Sequence, residues 1–477
     1  MYNSIQYFIE KVIPQIEKKR EKFMENPTEL GSIVVELKEV LMEFGCCILS
    51  EMLNDSNTAL ENSAERRKIW QIKDRGERSL QTMLGMVHFT HTRFVQKETK
   101  EVAYLLDRAM GLGPHVRLSE DVVEMILEKV AEESYRKAGK ELGERMQVSA
   151  ESVMRHVKKI EIPKKEEAIE KQKAEILYVE ADEDHIALQY KKEKGDIKRY
   201  KGHGDNGQIV KLAYVHEGHT EGKRRELKNA RYFGGIYEGT KGNEELWRSV
   251  KEYIEETYEV EGIKTIYFQS DGGGWMKRGI EELGAEFVLD EFHISEYIKR
   301  MVEAIGEETA EQEIREIIKE GKKKKLEDWE EKKEKELEEK RAIKLKKAMK
   351  YLTGNWKAVQ RRMEKKEGIL GSSTESHISH MLSARLSSLP MGWSKKGANG
   401  IAKLRIYRKN GGQVKELLKR RDEKGKEKEE WRVRDIINWE KRTSKKNGKY
   451  VDAIQAKVSP SIQERCFQHN FVTRVCL

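Results

Sequence analysis

Cysteine is scarce: the 477 residues hold four, Cys46, Cys47, Cys466 and Cys476. No two stand in CxxC spacing and no histidine pair completes a zinc set, so neither a disulfide framework nor a structural zinc is expected. Cys46 and Cys47 lie in the apolar helical stretch LMEFGCCIL and read as core thiols of a reducing cytoplasm. Long hydrophobic runs are missing too. Nothing approaches the ~18 apolar residues that span a bilayer, and MYNSIQYFIEKVIPQIEKK lacks the charged start, apolar core and cleavage site of a signal peptide. A cytoplasmic location without a membrane partner follows as the expectation. Apolar residues make up 37% of the chain and charged residues another 37%, a balance that suits a globular core carrying long solvated helices. The strand-like runs below are too regular for a disordered chain.

Positive charge is in modest excess, 93 Lys and Arg against 84 Asp and Glu, for a net +9. It is concentrated at 155–165, 197–201, 321–325, 338–350, 395–425 and 441–449. Several basic clusters in one chain point to a polyanionic partner held through its phosphates.

The length allows two to four domains at roughly 100–200 residues each. Residues 1–70 read as helices, with Ile33, Val34, Leu37, Val40, Leu41 and Phe44 at helical spacing. In 71–118, alternation across 82–88 and 92–95 predicts a small hairpin, closed by Gly113-Pro114. Residues 119–162 have the pattern of a helix-turn-helix. Ala138 and Leu142 share a face of the first helix, Gln147 and Val148 make the turn, and Ser149 caps the second helix. Val153, Met154, Val157 and Ile160 form its inward stripe. Ser152, Arg155, His156 and Lys159 then face outward, where a recognition helix meets a major groove. An ordinary helical hairpin is the alternative.

Beyond a charged linker after Pro163 the pattern turns to strands. EILYVEAD (175–182) is a buried strand ending in an acid, HIALQYK pairs with it as a hairpin, and GQIVKLAYVHEG is a third strand. A helix around 243–258 leads to KTIYFQSD (264–271), a fourth strand ending in an acid. A helix from Trp275 leads to AEFVLD (285–290), the fifth. Residues 175–305 therefore predict a mixed α/β core, a sheet with helical crossovers. Residues 306–366 are nearly all charge with i,i+4 Glu–Lys pairs and no apolar heptad, which predicts a solvated helical insertion. Residues 367–415 return to the core, and 416–477 form a C-terminal region and tail whose end, VSPSIQERCFQHNFVTRVCL, fits no pattern.

The acids carry the chemistry. Phosphodiester hydrolysis and strand transfer use paired divalent ions that stabilise the attacking and leaving oxygens, and magnesium takes oxygen ligands. Asp182 and Asp271 end strands that the inferred order makes neighbours, and such strand ends border a crevice. Gly272, Gly273 and Gly274 after Asp271 let backbone come close. Asp184 is the local rival of Asp182; Asp182 is preferred because the apolar run ends there and Glu183-Asp184 reads as a turn. The third acid must come from a later helix. Glu375 stands just inside one opened by the Ser372-Ser373-Thr374 cap cluster and shared by His377, His380 and Arg385. On its own that segment reads equally well as a helix-start carboxylate favoured by the dipole.

In this order the motifs resemble those of the ISLre-type insertion-sequence transposases, a DDE group related to the Mutator-like transposases. The likeness runs from the N-terminal helices to about residue 415. It is carried by RSLQTMLGMVHFTHTRF, LLDRAMGLG, SYRKAGKEL, YVEADEDHIALQ, FQSDGGGWMKRGIEELGAEFVLDEFHISEYI and GSSTESHISHMLSARLSSLPMGWSKKG. The resemblance implies an RNase H-like catalytic domain with a helical insertion between the second Asp and the Glu. It implies that Asp182, Asp271 and Glu375 are catalytic and hold two Mg²⁺ (or Mn²⁺) ions, and that His293, in DEFH, supports them. The implied partners are double-stranded DNA (terminal inverted repeats and target) and further copies of the chain, in a homodimer or larger synaptic complex. Arg385 and Trp393 are assigned by position to the DNA ends. Related families hold zinc through cysteines in the N-terminal hairpin; here it offers His88 and His91 but no cysteine, so no zinc is expected. Two alternatives stay open: an RNase H-like nuclease without strand transfer, and a decayed transposase that only binds DNA.

Overall fold

The computed structural model describes residues 3–142, 146–163, 170–190, 206–221, 226–364, 368–389 and 391–423. Parts of the sequence reading fall outside them: the basic clusters at 197–201 and 441–449, and the tail with Cys466 and Cys476. The chain divides into two units. One takes the described parts of Met1–Ile126, Gly139–Val148 and Leu418–Leu477; the other takes Leu127–Ala138 and Ser149–Leu417.

In the first unit, a 33-residue helix, Leu30–Asn62, precedes an antiparallel sheet of β1 (Trp70–Thr82), β2 (Gly85–Gln96) and β3 (Val102–Tyr104). The hairpin is longer than the sequence suggested, and its turn falls at Met83 and Leu84, inside the stretch read as one strand. The middle of β1 (KDRGER, 73–78) is charged at every position but Gly76, which conceals the strand from an apolar-alternation reading. Leu60, Trp70, Phe89, Phe94 and Leu105 make its core.

The second unit is built on a mixed sheet in the order β6-β5-β4-β7-β8. Its strands are β4 (Ile176–Leu188), β5 (Gly207–His216), β6 (Arg231–Gly235), β7 (Thr265–Ser270) and β8 (Glu286–Leu289). A short β9 (Gly392–Trp393) joins the far end of β4 in parallel. β4, β5 and β6 pair antiparallel, whereas β4–β7 and β7–β8 pair parallel. Two expectations need correcting. EILYVEAD and HIALQ are one 13-residue strand, not a hairpin, so Glu183-Asp184 is not a turn and Asp182 lies mid-strand. The partner of β4 is GQIVKLAYVH, and the third strand is the short RYFGG, which the sequence reading passed over.

Strand periodicity sorts β4 into two faces. Leu177, Val179 and Ala181 pack with Phe268 onto Leu246, Trp247 and Val250 of helix Gly239–Thr257 and Met276 of helix Gly274–Leu283. These two helices meet closely enough that a Cβ on Gly279 would stand 2.4 Å from the Trp247 ring. Tyr178, Glu180, Asp182 and Asp184 point the other way, where Tyr178 packs with Tyr267, Val288, Ile369 and Leu370.

The charged insertion is also more than a solvated appendage. Helices Ala310–Lys319, Lys323–Glu334, Glu339–Gly354 and Trp356–Met363 share a core with helix Glu291–Ile305. Ile298, Met301, Ile314, Ile318, Leu326, Leu345, Met349 and Leu352 fill it. Each helix gives only a few apolar residues, too thinly spaced to read as a heptad, and the bundle pools them.

The segment read as a helix-turn-helix contains helices Tyr135–Lys140 and Ala150–Val157. The Ser149 hydroxyl accepts the Ser152 N–H at 3.2 Å, as a cap should. Val153 and Val157 are buried; Met154 and Ile160 are half-buried. Val157 seats this helix on helix Lys395–Lys409, where a Cβ on Gly400 would come within 2.8 Å of the Val157 carbonyl. No helix among the described residues is long and apolar enough to cross a membrane.

Candidate active site

The β4–β7 register places the first two acids. The last paired residues are Glu180 and Gln269. Asp182 and Asp271 each lie two residues beyond that last pair, Asp182 still within β4 and Asp271 just past the end of β7. Asp271 leaves β7 through a tight turn. Its Oδ1 accepts the Gly273 N–H at 2.9 Å, and Gly272 takes φ +80°, where a Cβ would also stand 3.1 Å from the Phe287 ring. The insertion buttresses this turn: the Tyr351 hydroxyl donates to the Asp271 carbonyl, and its ring stacks on Tyr297 at 3.7 Å. Sequence reasoning missed Tyr351, because nothing local marks a tyrosine in a charged helix as reaching a strand end eighty residues earlier.

Electrostatics tie four groups together. Burial pushes the Asp182 carboxyl up to about 7; the charges of Asp271 and Glu375 add to the rise, while the Glu183 N–H and His293 oppose it. His293 is raised above the ordinary imidazole value, chiefly by Asp290 and further by Asp271 and Asp182, against burial. Asp290 caps its helix by accepting the Phe292 N–H at 3.2 Å. Its other oxygen stands 3.5 Å from His293 Nδ1, an ion-pair distance that leaves that buried nitrogen without a close hydrogen bond. Asp182, Asp271, Glu375 and His293 thus share one electrostatic centre. Glu375 is exposed, second residue of helix Thr374–Ile378. Among the described residues no three His, Cys, Asp or Glu side chains stand close enough together to hold a metal ion as they are. The donor chemistry nonetheless suits a hard cation: carboxylates that raise one another, with Asp182 lifted far above its usual range and His293 opposing the rise.

One buried acid beside the site escaped the sequence reading altogether. Glu180 is fully buried on β4. It accepts hydrogen bonds from the Tyr214 hydroxyl (2.8 Å), the Ser372 hydroxyl (3.0 Å), the Ser373 N–H (2.9 Å), the Thr374 hydroxyl (2.8 Å) and His216 Nε2 (3.1 Å). Burial alone raises its carboxyl, but these bonds and the His216 charge outweigh it and hold Glu180 at about 2. The Ser372-Ser373-Thr374 cluster divides its work: Ser373, at the cap position, makes no side-chain cap bond, the Ser372 hydroxyl accepts the Thr374 N–H at 3.3 Å, and the Ser372 and Thr374 hydroxyls donate to Glu180. Asp184 accepts the Ser387 hydroxyl at 2.8 Å at the other end of this helical stretch. Between the two ends lies a π-helical turn, Ser379–Ser383, a feature frequent at functional sites. The available signal was period two: Glu180, Asp182 and Asp184 on one face of a strand.

The residues assigned to DNA separate into two groups. Arg155 and Lys159 are exposed, Ser152 and His156 half-buried, and Arg155 pairs with Glu151 at 2.7 Å. Arg385 and Trp393 are each 4% exposed. Arg385 Nε donates to the Val130 carbonyl at 3.2 Å, its guanidinium lies 4.8 Å over the Trp393 ring, and Trp393 Nε1 donates to the Leu386 carbonyl at 2.9 Å. Both serve the interior, so the expectation that they touch DNA is corrected.

Fold and site define a mixed α/β protein with an acidic centre on one face of its sheet. The chain belongs to the Uncharacterised protein family (UPF0236), whose model matches residues 23–424. Relatives come from Caldanaerobacter subterraneus subsp. tengcongensis. One UPF0236 protein, whose name joins eleven locus designations from TTE0033 to TTE2212, is 32% identical over 403 residues, 83% of this chain and 81% of its own. A second, joining TTE0610, TTE0881, TTE1053 and TTE2432, is 33% identical over 396 residues, 82% of this chain and 80% of its own.

Proposed function

We propose that this protein is the DNA transposase of an insertion sequence, working by a DDE mechanism on an RNase H-like core with a helical insertion. The observation that carries this reading is the acidic centre: Asp182 and Asp271 each two residues past the last pair of the neighbouring parallel strands β4 and β7, with Glu375 and His293 in electrostatic reach of Asp182. The strand order, three antiparallel strands followed by two parallel ones, supports the RNase H-like assignment. The eleven loci joined in one relative's name support a mobile element, since repeated copies are what transposition leaves in a genome.

Asp182, Asp271 and Glu375 would hold two Mg²⁺ or Mn²⁺ ions, which supply Lewis-acid stabilisation of attacking and leaving oxygens. The protein's own part is placement. β4 and the Gly272 turn fix Asp182 and Asp271, and Glu375 closes from its helix. His293, whose imidazole Asp290 raises above its ordinary value, would stand near the scissile phosphate as the proton donor to the leaving 3′ oxygen. Residues 119–162 act as a helix-turn-helix, with Arg155 of its second helix and Lys159 just beyond that helix meeting the inverted repeats of double-stranded DNA. Two ends must be paired, so a homodimer or larger synaptic complex is the working form, in the cytoplasm at the nucleoid.

The test is joining. Purified protein is given pre-cut element ends with free 3′-hydroxyls and a plasmid target, with and without Mg²⁺. Metal-dependent insertion of ends into the plasmid is expected. Cleavage without joining would leave a nuclease; end binding with neither product would leave a DNA-binding protein.

A further inference from the structure

We infer that Glu180 is a positioning residue which, with Asp184, holds the Glu375-bearing helix against β4 and so sets where Glu375 stands relative to Asp182 and Asp271. This rests on the three-acid reading proposed above. Glu180, Asp182 and Asp184 occupy alternate positions on one face of a single strand. The outer two bond the helical stretch: Glu180 takes Ser372, Ser373 N–H and Thr374 at its start, and Asp184 Oδ1 takes Ser387 at its end while Asp184 Oδ2 stays buried without a hydrogen bond. On the sheet side, Tyr214 and His216 of β5 fill what remains of Glu180. A carboxylate has about four lone-pair sites; those of Glu180 are all engaged and it is 0% exposed, so it cannot itself ligate a metal or meet DNA. Glu375 directly follows Thr374, so the bond from Thr374 to Glu180 fixes the backbone from which the Glu375 side chain reaches. Groups of this kind, behind the ligands, typically govern about 10–100-fold of metal affinity.

The experiment uses the full-length protein as Glu180→Gln and, because a buried substitution can harm folding, also as the double variant Ser372→Ala with Thr374→Val, which leaves Glu180 bonded to Tyr214, His216 and the Ser373 amide. Amide hydrogen exchange is followed over residues 371–383, and Mn²⁺ is titrated calorimetrically, with Asp271→Asn as the reference for loss of the site. The expected result is faster exchange confined to that segment and Mn²⁺ binding weakened roughly ten-fold or more, restored in cleavage assays by raising the metal concentration. Unchanged exchange, or faster exchange with Mn²⁺ affinity intact, overturns the positioning role and leaves the three acids standing. Should the unaltered protein bind no Mn²⁺ that Asp271→Asn removes, the three-acid reading falls first and the positioning role with it.

Discussion

With its carboxyl lifted to about 7 by burial and by the charges of Asp271 and Glu375, Asp182 is ionised at neutral pH only against its surroundings. Because its folded value lies above its unfolded one, the fold loses stability as pH climbs from the ordinary aspartate range to about 7, and the loss is complete above that. Asp182→Asn removes the charge and keeps the shape. Thermal unfolding of that variant without divalent metal is expected to show a higher midpoint than the parent at pH 8 and a smaller gain at pH 5. A gain that is absent, or larger at pH 5, would contradict the crowded-carboxylate picture. Arg385 and Trp393 differ in kind. Trp393→Ala empties a buried ring site and is expected to destabilise by about 3–5 kcal/mol, seen as a lowered melting temperature. Arg155→Ala, on an exposed helix face, is expected to leave melting within about 0.5 kcal/mol of the parent. It should instead weaken binding to end DNA and lower the salt slope of that binding by about one.

The elements differ in how far the sequence discloses them. β7 was plain, an apolar run closed by an acid and glycines, and Asp271 with it. Asp182 was found for a reason that does not hold: the run of acids after it reads as a turn because acids favour turns, yet β4 continues through them to Leu188. What sustains the strand is pairing with β5 as far as Ala187, a long-range fact that local propensity does not contain. Glu180 was illegible for the same reason, since its partners Ser372 and Thr374 lie more than 190 residues away. Glu375 was legible only through family resemblance; the structure adds Glu180 and Asp184 as the groups that hold its helix. The Gly272 turn offers an element-scale test. At φ +80° with Phe287 close by, Gly272→Ala is expected to destabilise by about 1–3 kcal/mol and to slow end cleavage more than Gly274→Ala, which meets nothing within 4 Å. Equal rates in the two variants would remove the turn from the site.

At the scale of the whole molecule, the proposed mobile-element enzyme draws on the strand order of one sheet, an insertion that shares a core with helix Glu291–Ile305, and a relative whose name joins many loci of one genome. The helical insertion sits between Asp271 and Glu375 in the chain and returns Tyr351 to the Asp271 turn, so the two parts of the core are joined by a braced connection rather than a loose loop. The claim on which the rest depends is that Asp271 is required for chemistry and dispensable for binding. The direct measurement is Mg²⁺-dependent cleavage of labelled element ends by the parent protein and by Asp271→Asn, alongside their affinities for the same ends. Cleavage that falls by roughly 10²–10³-fold or more while end affinity stays within a few-fold is the expected result. Cleavage that persists undiminished in Asp271→Asn would contradict it.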